Sequence, residues 1–353
     1  MLLTLGAWFH NIDPVIVQIQ GNLAIRWYGL SYIAGFVIAW VLLRWMAGRK
    51  LVLIPKPAAF DFIVQIAIGV IVGGRLGYVL FYQPDLLMEF EPAFPWWGVL
   101  NIPKGGMASH GGMVGMIIAA WLWARKWRAA ADKDPSITPP PLLHLLDVIC
   151  LISPPGILLG RIANFINGEL LGKIVAMPGE PGPWWSVRFP QELTEPNLAP
   201  KLTGTQEAEL AHMVLTVDPT GNLSRGAAIL IREAQLGNPV VIAELEALTS
   251  ARHPSQLYQA FAEGVMTFIV MWWIWRRPRK PGVMLAVFLM VYGVGRIATE
   301  FIRLPDAHLQ VQRILGLSRG QWLSAAMVVI GAGLLWWVAR RSTAAALGGW
   351  AKR

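Results

Sequence analysis

Two arginines in this 353-residue chain stand where arginine is costly. Arg161 lies in Gly160-Arg-Ile-Ala-Asn-Phe-Ile-Asn-Gly-Glu169, and Arg296 in Tyr292-Gly-Val-Gly-Arg-Ile-Ala-Thr-Glu-Phe-Ile-Arg303. Each segment ends an apolar stretch long enough to cross a membrane. A guanidinium on a lipid-embedded helix costs at least ~2.5 kcal/mol at mid-membrane and less near the ends. A chain that keeps two of them near one surface uses them on something negative, and a lipid phosphate is the natural candidate. The planar donor fork of arginine grips phosphate oxygens at two points, so two arginines from facing helices can clamp one phosphodiester.

The neighbours of these arginines are polar as well. At 100° per residue, Tyr292, Arg296, Glu300 and Arg303 fall within an arc of roughly 80° on one helix. The alternative is a stripe facing a neighbouring helix through Arg296–Glu300 or Glu300–Arg303 salt bridges. Asn164, Asn167 and Glu169 close the Arg161 segment and do not snorkel to an interface as arginine does. Arg26 and Tyr28 open the first span, and Arg75 falls in the outer half of the second. His110, in Gly105-Gly-Met-Ala-Ser-His-Gly-Gly112, opens the third. It is read two ways: as a structural residue at a helix start, or as a proton acceptor near neutral pH. His253, in Arg252-His-Pro-Ser-Gln-Leu-Tyr258, reads as structural, with His253 or Ser255 capping a helix whose first turn holds Pro254. No metal-ligand spacing, Gly-x-Ser-x-Gly elbow or phosphate-cradling glycine loop is present. Gly73-Gly-Arg-Leu-Gly77 reads as a helix-packing motif. No side chain stands out as a covalent nucleophile, so any nucleophile comes from the substrate.

The elements that position these groups follow from composition. The chain is 55% hydrophobic and 14% charged, with eighteen tryptophans, which places it among polytopic membrane proteins. Seven spans of about twenty apolar residues are predicted at 26–45, 60–82, 107–127, 142–166, 256–275, 282–302 and 322–340. Pro154-Pro155-Gly156 kinks or breaks the fourth. Basic residues cluster in alternate loops: Arg44, Arg49, Lys50 and Lys56; Arg125, Lys126, Arg128 and Lys133; Arg276, Arg277, Arg279 and Lys280; and Arg340, Arg341, Lys352 and Arg353 at the C-terminus. The second loop has only Lys104 against Asp85, Glu89 and Glu91. The bias puts the N-terminus outside and the C-terminus inside. It also makes the net charge of +9 topogenic, which removes a nucleic-acid reading. The lone Cys150 permits no internal disulfide and reads as a small core residue.

The first twenty residues do not read as a cleavable signal peptide; Trp8-Phe9 and Val15-Ile-Val17 read as an interfacial arm. Leu170–His253 is the one sizeable soluble part, placed outside. Within it Val214–Leu223 reads as a hairpin around Asp218-Pro-Thr-Gly221, and Ala227–Leu248 as two short helices split at Gly237-Asn-Pro239. The fold class expected is therefore an all-α polytopic membrane protein. Seven transmembrane helices carry a small extracytoplasmic head between helices four and five. The parts are 1–169, 170–253 and 254–353.

Gly160-Arg-Ile-Ala-Asn-Phe-Ile-Asn-Gly-Glu-Leu-Leu-Gly172 resembles the signature of bacterial prolipoprotein diacylglyceryl transferases. The resemblance extends to Ile25-Arg-Trp-Tyr-Gly29, Ser109-His-Gly-Gly-Met-Val-Gly115, His253–Tyr258, and Gly295–Arg303 followed by Pro305-Asp306. It implies a seven-helix enzyme of the bacterial inner membrane. Such an enzyme transfers the diacylglyceryl group of phosphatidylglycerol to the lipobox cysteine of a prolipoprotein signal peptide, releasing glycerol phosphate. By carry-over, Arg161 and Arg296 bind the phosphate and stabilise the leaving group. His110 is then the base that makes the thiolate. Tyr28, Asn164, Glu169, Tyr292, Glu300 and Arg303 shape the substrate site. No metal or organic cofactor is implied. Thr203–Ser250 is longer than the resemblance leads one to expect. A phospholipid transporter with an outward cationic vestibule is the alternative; it needs a polar path through the inner half, where Asp147 and Gln65 are the main polar groups. An intramembrane protease lacks its Ser/His pair or aspartate dyad.

Overall fold

A computed structural model of the chain describes residues 6–20, 23–92, 95–101, 105–194, 198–304, 313–314, 316–341 and 345–351. Lys104, Pro305-Asp306, Lys352 and Arg353 lie outside the described residues. The chain is mostly helical, and each apolar run becomes a helix: α1 (Trp27–Gly48), α2 (Ala59–Phe81), α3 (Ser109–Ala131), α4 (Leu142–Ile152) and α5 (Pro154–Asn167). Three short helices follow, α6 (Gly204–Val217), α7 (Leu223–Gln235) and α8 (Pro239–Leu248). The last long ones are α9 (Ser255–Gln259), continued by a π-helical stretch Ala260–Met266 into α10 (Thr267–Trp275), then α11 (Val283–Glu300) and α12 (Arg319–Arg340).

Among the described residues five helices are long and apolar enough to cross a membrane, and α4 with α5 makes a sixth candidate bent by 44°. The bend is where Pro154-Pro155 starts a new helix: proline suits a first turn but cannot continue the preceding one. Helix α3 forms where a span is expected. Its apolar run is cut short by Ser109, His110 and three glycines at one end and by Arg125, Lys126 and Arg128 at the other.

The chain divides into two compact units. One comprises Phe36–Ser153, Val270–Phe288 and Gly331–Arg353. There α2 and α3 pack through glycines, as the Gly73–Gly77 motif predicts. A Cβ on Gly77 would lie 2.7 Å from the Gly111 Cα, and one on Gly69 would lie 2.7 Å from the Gly115 carbonyl oxygen. Gly111→Val is therefore expected to force the helices apart at a cost of about 1–3 kcal/mol, read as a lower denaturation midpoint in detergent. Gly333→Ala, whose Cβ meets nothing within 4 Å, serves as the neutral control. Asp147 accepts from the backbone N–H groups of Gly282 and Leu285, both at 2.7 Å. It thus closes the start of α11, which gives this carboxylate a structural role. Arg44, Arg125, Arg276, Arg340 and Arg341 each sit over a tryptophan one turn back, at 3.6–5.9 Å from the ring, a cation–π arrangement.

The other unit comprises Met1–Gly35, Pro154–Ile269 and Leu289–Ile330. It corrects two expectations. The chain is not all-helical: a four-stranded sheet of order β1-β5-β6-β4 joins Trp8–Phe9 (β1), Ile174–Ala176 (β4), Val187–Arg188 (β5) and Ala251–Arg252 (β6), while Val15–Gln20 (β2) and Leu23–Arg26 (β3) form a hairpin. The strands of the four-stranded sheet are only two or three residues long, too short for a periodic signal. Nor is Val214–Leu223 a hairpin. Thr203 and Gln206 form a reciprocal capping box that starts α6, which runs on to Val217. Leu210, Met213 and Val214 then pack with Ala227, Leu230, Leu245, Leu248 and Phe9. Asp218-Pro-Thr-Gly221 is the turn into α7, capped by Asn222. The split at Gly237-Asn-Pro239 holds, with Asn238 capping α8.

The arm does more than lie at an interface. His10 is fully buried, and its Nε2 donates to the Phe165 carbonyl at 2.8 Å. Its ring contacts Phe165 at 5.4 Å and Phe189 at 5.1 Å. Burial pushes its pKa down from 6.5 to about 4, with the Phe165 carbonyl opposing. The folded pKa lies below the unfolded one, so this stability is complete above pH 6.5 and is lost as pH falls toward 4. The expected loss is on the order of 3 kcal/mol, read as faster thermal inactivation of the natural chain than of His10→Gln when pH is lowered across that window.

Candidate active site

The end of α5 is built by its turn. Gly168 N–H bonds to the Phe165 carbonyl at 3.0 Å and Glu169 N–H to the Asn164 carbonyl at 3.1 Å. This is the double bond pattern of a Schellman cap, with Gly168 at φ +65°. The cap turns the chain back, so Asn164 Nδ2 donates to Glu169 Oε1 at 2.5 Å. The Tyr28 hydroxyl, from α1, bonds to Asn164 and Tyr32. Tyr28, Asn164 and Glu169 are thus one polar group.

One turn before Asn164, Arg161 sends Nε and Nη2 to a single oxygen, Glu263 Oε2, at 3.0 and 2.8 Å. Arg296 from α11 reaches the other oxygen, Glu263 Oε1, at 3.5 Å. Tyr292, one turn before Arg296, hydrogen-bonds to Arg161. Arg296 also reaches Glu300 at 3.4 Å, and Arg303 reaches Glu300 at 3.8 Å. The stripe is therefore laced by both of the salt bridges that the alternative reading named, and it still meets Arg161. Arg303 lies past the end of α11, in a bridge to Gly172.

Exposure decides what a ligand would meet. The Glu263 side chain is 0% exposed, while Arg161 and Arg296 are 18% and 15% exposed. The carboxylate is sealed, while the side chains of both arginines paired with it stay partly exposed. Glu263 comes from the π-helical stretch; such insertions recur at functional sites because the extra residue re-aims a side chain. Gly264 permits it, since a Cβ there would sit 2.7 Å from Leu158 Cβ of α5. Sequence reasoning missed Glu263, although the same argument that singled out the arginines applies to a carboxylate inside an apolar span.

Two sequence-predicted groups are placed in the other unit. His110 is exposed at the second position of α3. Arg75 is buried and donates to the carbonyls of Val99, Gly98, Gly105, Gly106 and Asn101 at 2.7–3.3 Å. It is the tie of the loop that leads to His110 rather than part of a phosphate clamp. His253 stacks on Trp185 at 4.9 Å, and burial and Lys173 lower its pKa. Neither it nor Ser255 caps α9: Ser255 Oγ donates to the Leu170 carbonyl at 2.6 Å instead. Among the described residues no group of three or more His, Cys, Asp or Glu side chains could hold a metal ion.

The sequence profile of the prolipoprotein diacylglyceryl transferase family matches residues 14–337. The chain belongs to this family. It is similar to the phosphatidylglycerol–prolipoprotein diacylglyceryl transferase of Bdellovibrio bacteriovorus, with 40% identity over 97% of this chain and 96% of the relative. The Neisseria gonorrhoeae enzyme of the same name is 37% identical over 91% and 94%. That of Paramagnetospirillum magneticum is 33% identical over 98% and 100%. The paired arginines, the Schellman-capped Glu169 and the buried Glu263 all fall inside the span matched to the family.

Proposed function

We propose that this family member transfers the diacylglyceryl group of phosphatidylglycerol to the lipobox cysteine of a prolipoprotein, the first step of lipoprotein maturation. The observation that carries the reading is the meeting of Arg161 and Arg296, from two signature segments, on one sealed carboxylate with both arginine side chains partly exposed. In the reaction the cysteine sulfur forms a bond to the glyceryl carbon that carries the phosphate. The carbon–oxygen bond breaks with its electron pair going to oxygen, and glycerol phosphate leaves. The guanidiniums stabilise the charge that grows on that phosphate. His110 takes the thiol proton, since the thiolate is the nucleophile. Tyr28, Asn164 and Glu169 shape the substrate site on one side, and Tyr292, Glu300 and Arg303 on the other.

The reading includes seven spans, with α3 as the third. It places 170–253 as an extracytoplasmic head, the N-terminus outside and the C-terminus inside, in the bacterial inner membrane. The basic helix ends stacked on tryptophan favour this orientation, because aromatic side chains gather at membrane boundaries and basic ones at the inner boundary. The test is a detergent assay of the full chain with phosphatidylglycerol and a lipobox peptide, following peptide mass. A diacylglyceryl increment that disappears with a Cys→Ser peptide is expected. No increment from folded protein that still binds the lipid would reject the reading.

A further inference from the structure

The core of the clamp is a triad of alternating charge, Arg161–Glu263–Arg296. Two guanidiniums and one carboxylate leave a single net positive charge. The adjoining Glu300 and Arg303 form a balanced pair. A phosphodiester carries one negative charge. A phosphomonoester, with its second pKa near ~6, carries close to two at about pH 8. Cleavage of the glyceryl carbon–oxygen bond converts the first into the second: the thiolate and the diester together bring two negative charges, and both end on the released phosphate.

We propose that Glu263 is a specificity-determining residue that matches the clamp to a monoanionic phosphodiester and drives off the dianionic product; the inference rests on the transferase reading. The burial of Glu263 supports this. A carboxylate with a 0% exposed side chain is expensive unless fully paired, and an uncharged group of the same shape would cost less to bury. Among the described residues its ion-pair contacts are with these two guanidiniums, so its charge acts on them. The π-helical register of Ala260–Met266 sets it behind them. There it lowers the positive charge presented to a ligand without itself touching the ligand.

Glu263→Gln keeps the shape and removes the charge; Glu263→Asp keeps the charge and shortens the reach. The full chain in detergent at about pH 8 is titrated with glycerol phosphate and with glycerophosphoglycerol, the diester without acyl chains. Binding is followed by thermal shift, which needs no turnover. Glu263→Gln is expected to shift the affinity ratio toward glycerol phosphate by at least about tenfold, and Glu263→Asp to keep the natural ratio. An unchanged ratio in Glu263→Gln, an equal shift in Glu263→Asp, or loss of both ligands in Glu263→Gln would overturn the proposal. The transferase reading fails separately, if the natural chain binds both probes and leaves the lipobox peptide mass unchanged.

Discussion

Replacing Arg161 by lysine is expected to lower diacylglyceryl transfer by ~10²–10³-fold, the loss typical when one donor to a developing oxyanion is removed. Lysine keeps the positive charge beside Glu263, so the buried carboxylate retains a partner and the protein folds. It has no planar fork, so it cannot hold Glu263 through two nitrogens, as Arg161 does at 3.0 and 2.8 Å, and still reach a phosphate oxygen. Arg161→Ala removes the charge as well and should abolish transfer. It also leaves Glu263 with Arg296 alone at 3.5 Å, so part of its effect is lost stability. The informative readout is kcat of the lysine variant in the peptide-mass assay. Activity within about threefold of the natural chain, small beside the loss expected for a missing oxyanion donor, would remove Arg161 from the chemistry.

Arg75→Ala is the second large effect, and its cause is different. The guanidinium satisfies five backbone carbonyls between Gly98 and Gly106, and Gly106, at φ +86°, passes so close that a Cβ would lie 2.8 Å from Arg75 Nη1. Without it the carbonyls of Val99, Asn101, Gly105 and Gly106 lose this donor, while the Gly98 carbonyl keeps the Asn101 N–H at 3.1 Å in the 3-10 turn Gly98–Leu100. Buried unsatisfied groups cost about 1–3 kcal/mol each, and several are involved. A total of roughly 3–5 kcal/mol is expected, seen as a lower denaturation midpoint. Arg75→Lys should recover part of it, because an ammonium offers three donors from one point. Transfer falls in both variants because the loop leads directly into His110, yet phosphate-probe binding at Arg161 and Arg296 is spared. A variant that lost probe binding first would place Arg75 in the clamp after all.

The contrast between Arg75 and Arg161 shows the limit of reading depth from sequence. Both are arginines in apolar stretches, and cost alone marks both as used. Only the fold says that one guanidinium is spent on carbonyls and the other on a carboxylate with an open face. Glu263 was passed over for a related reason. Nothing in Gln259-Ala-Phe-Ala-Glu263-Gly264 announces a π-helical turn, and an α-helical register would aim the carboxylate elsewhere. The sheet that ties Trp8–Phe9 to Val187–Arg188 was equally hidden, because two-residue strands are stabilised by their partners rather than by their own pattern.

What the sequence by itself determined was the membrane class, the kink at Pro154, the helix-packing role of the Gly73–Gly77 motif and the two costly arginines Arg161 and Arg296. Each follows from a local rule: apolar length, the missing proline N–H, the missing glycine Cβ, and the cost of charge in lipid. The tertiary structure alone decided that both arginines share one sealed carboxylate, that Arg75 holds a loop, and that the N-terminal arm locks the turn after Arg161 through His10. These depend on which distant segments meet, and burial energy summed over the whole chain sets that rather than any local preference.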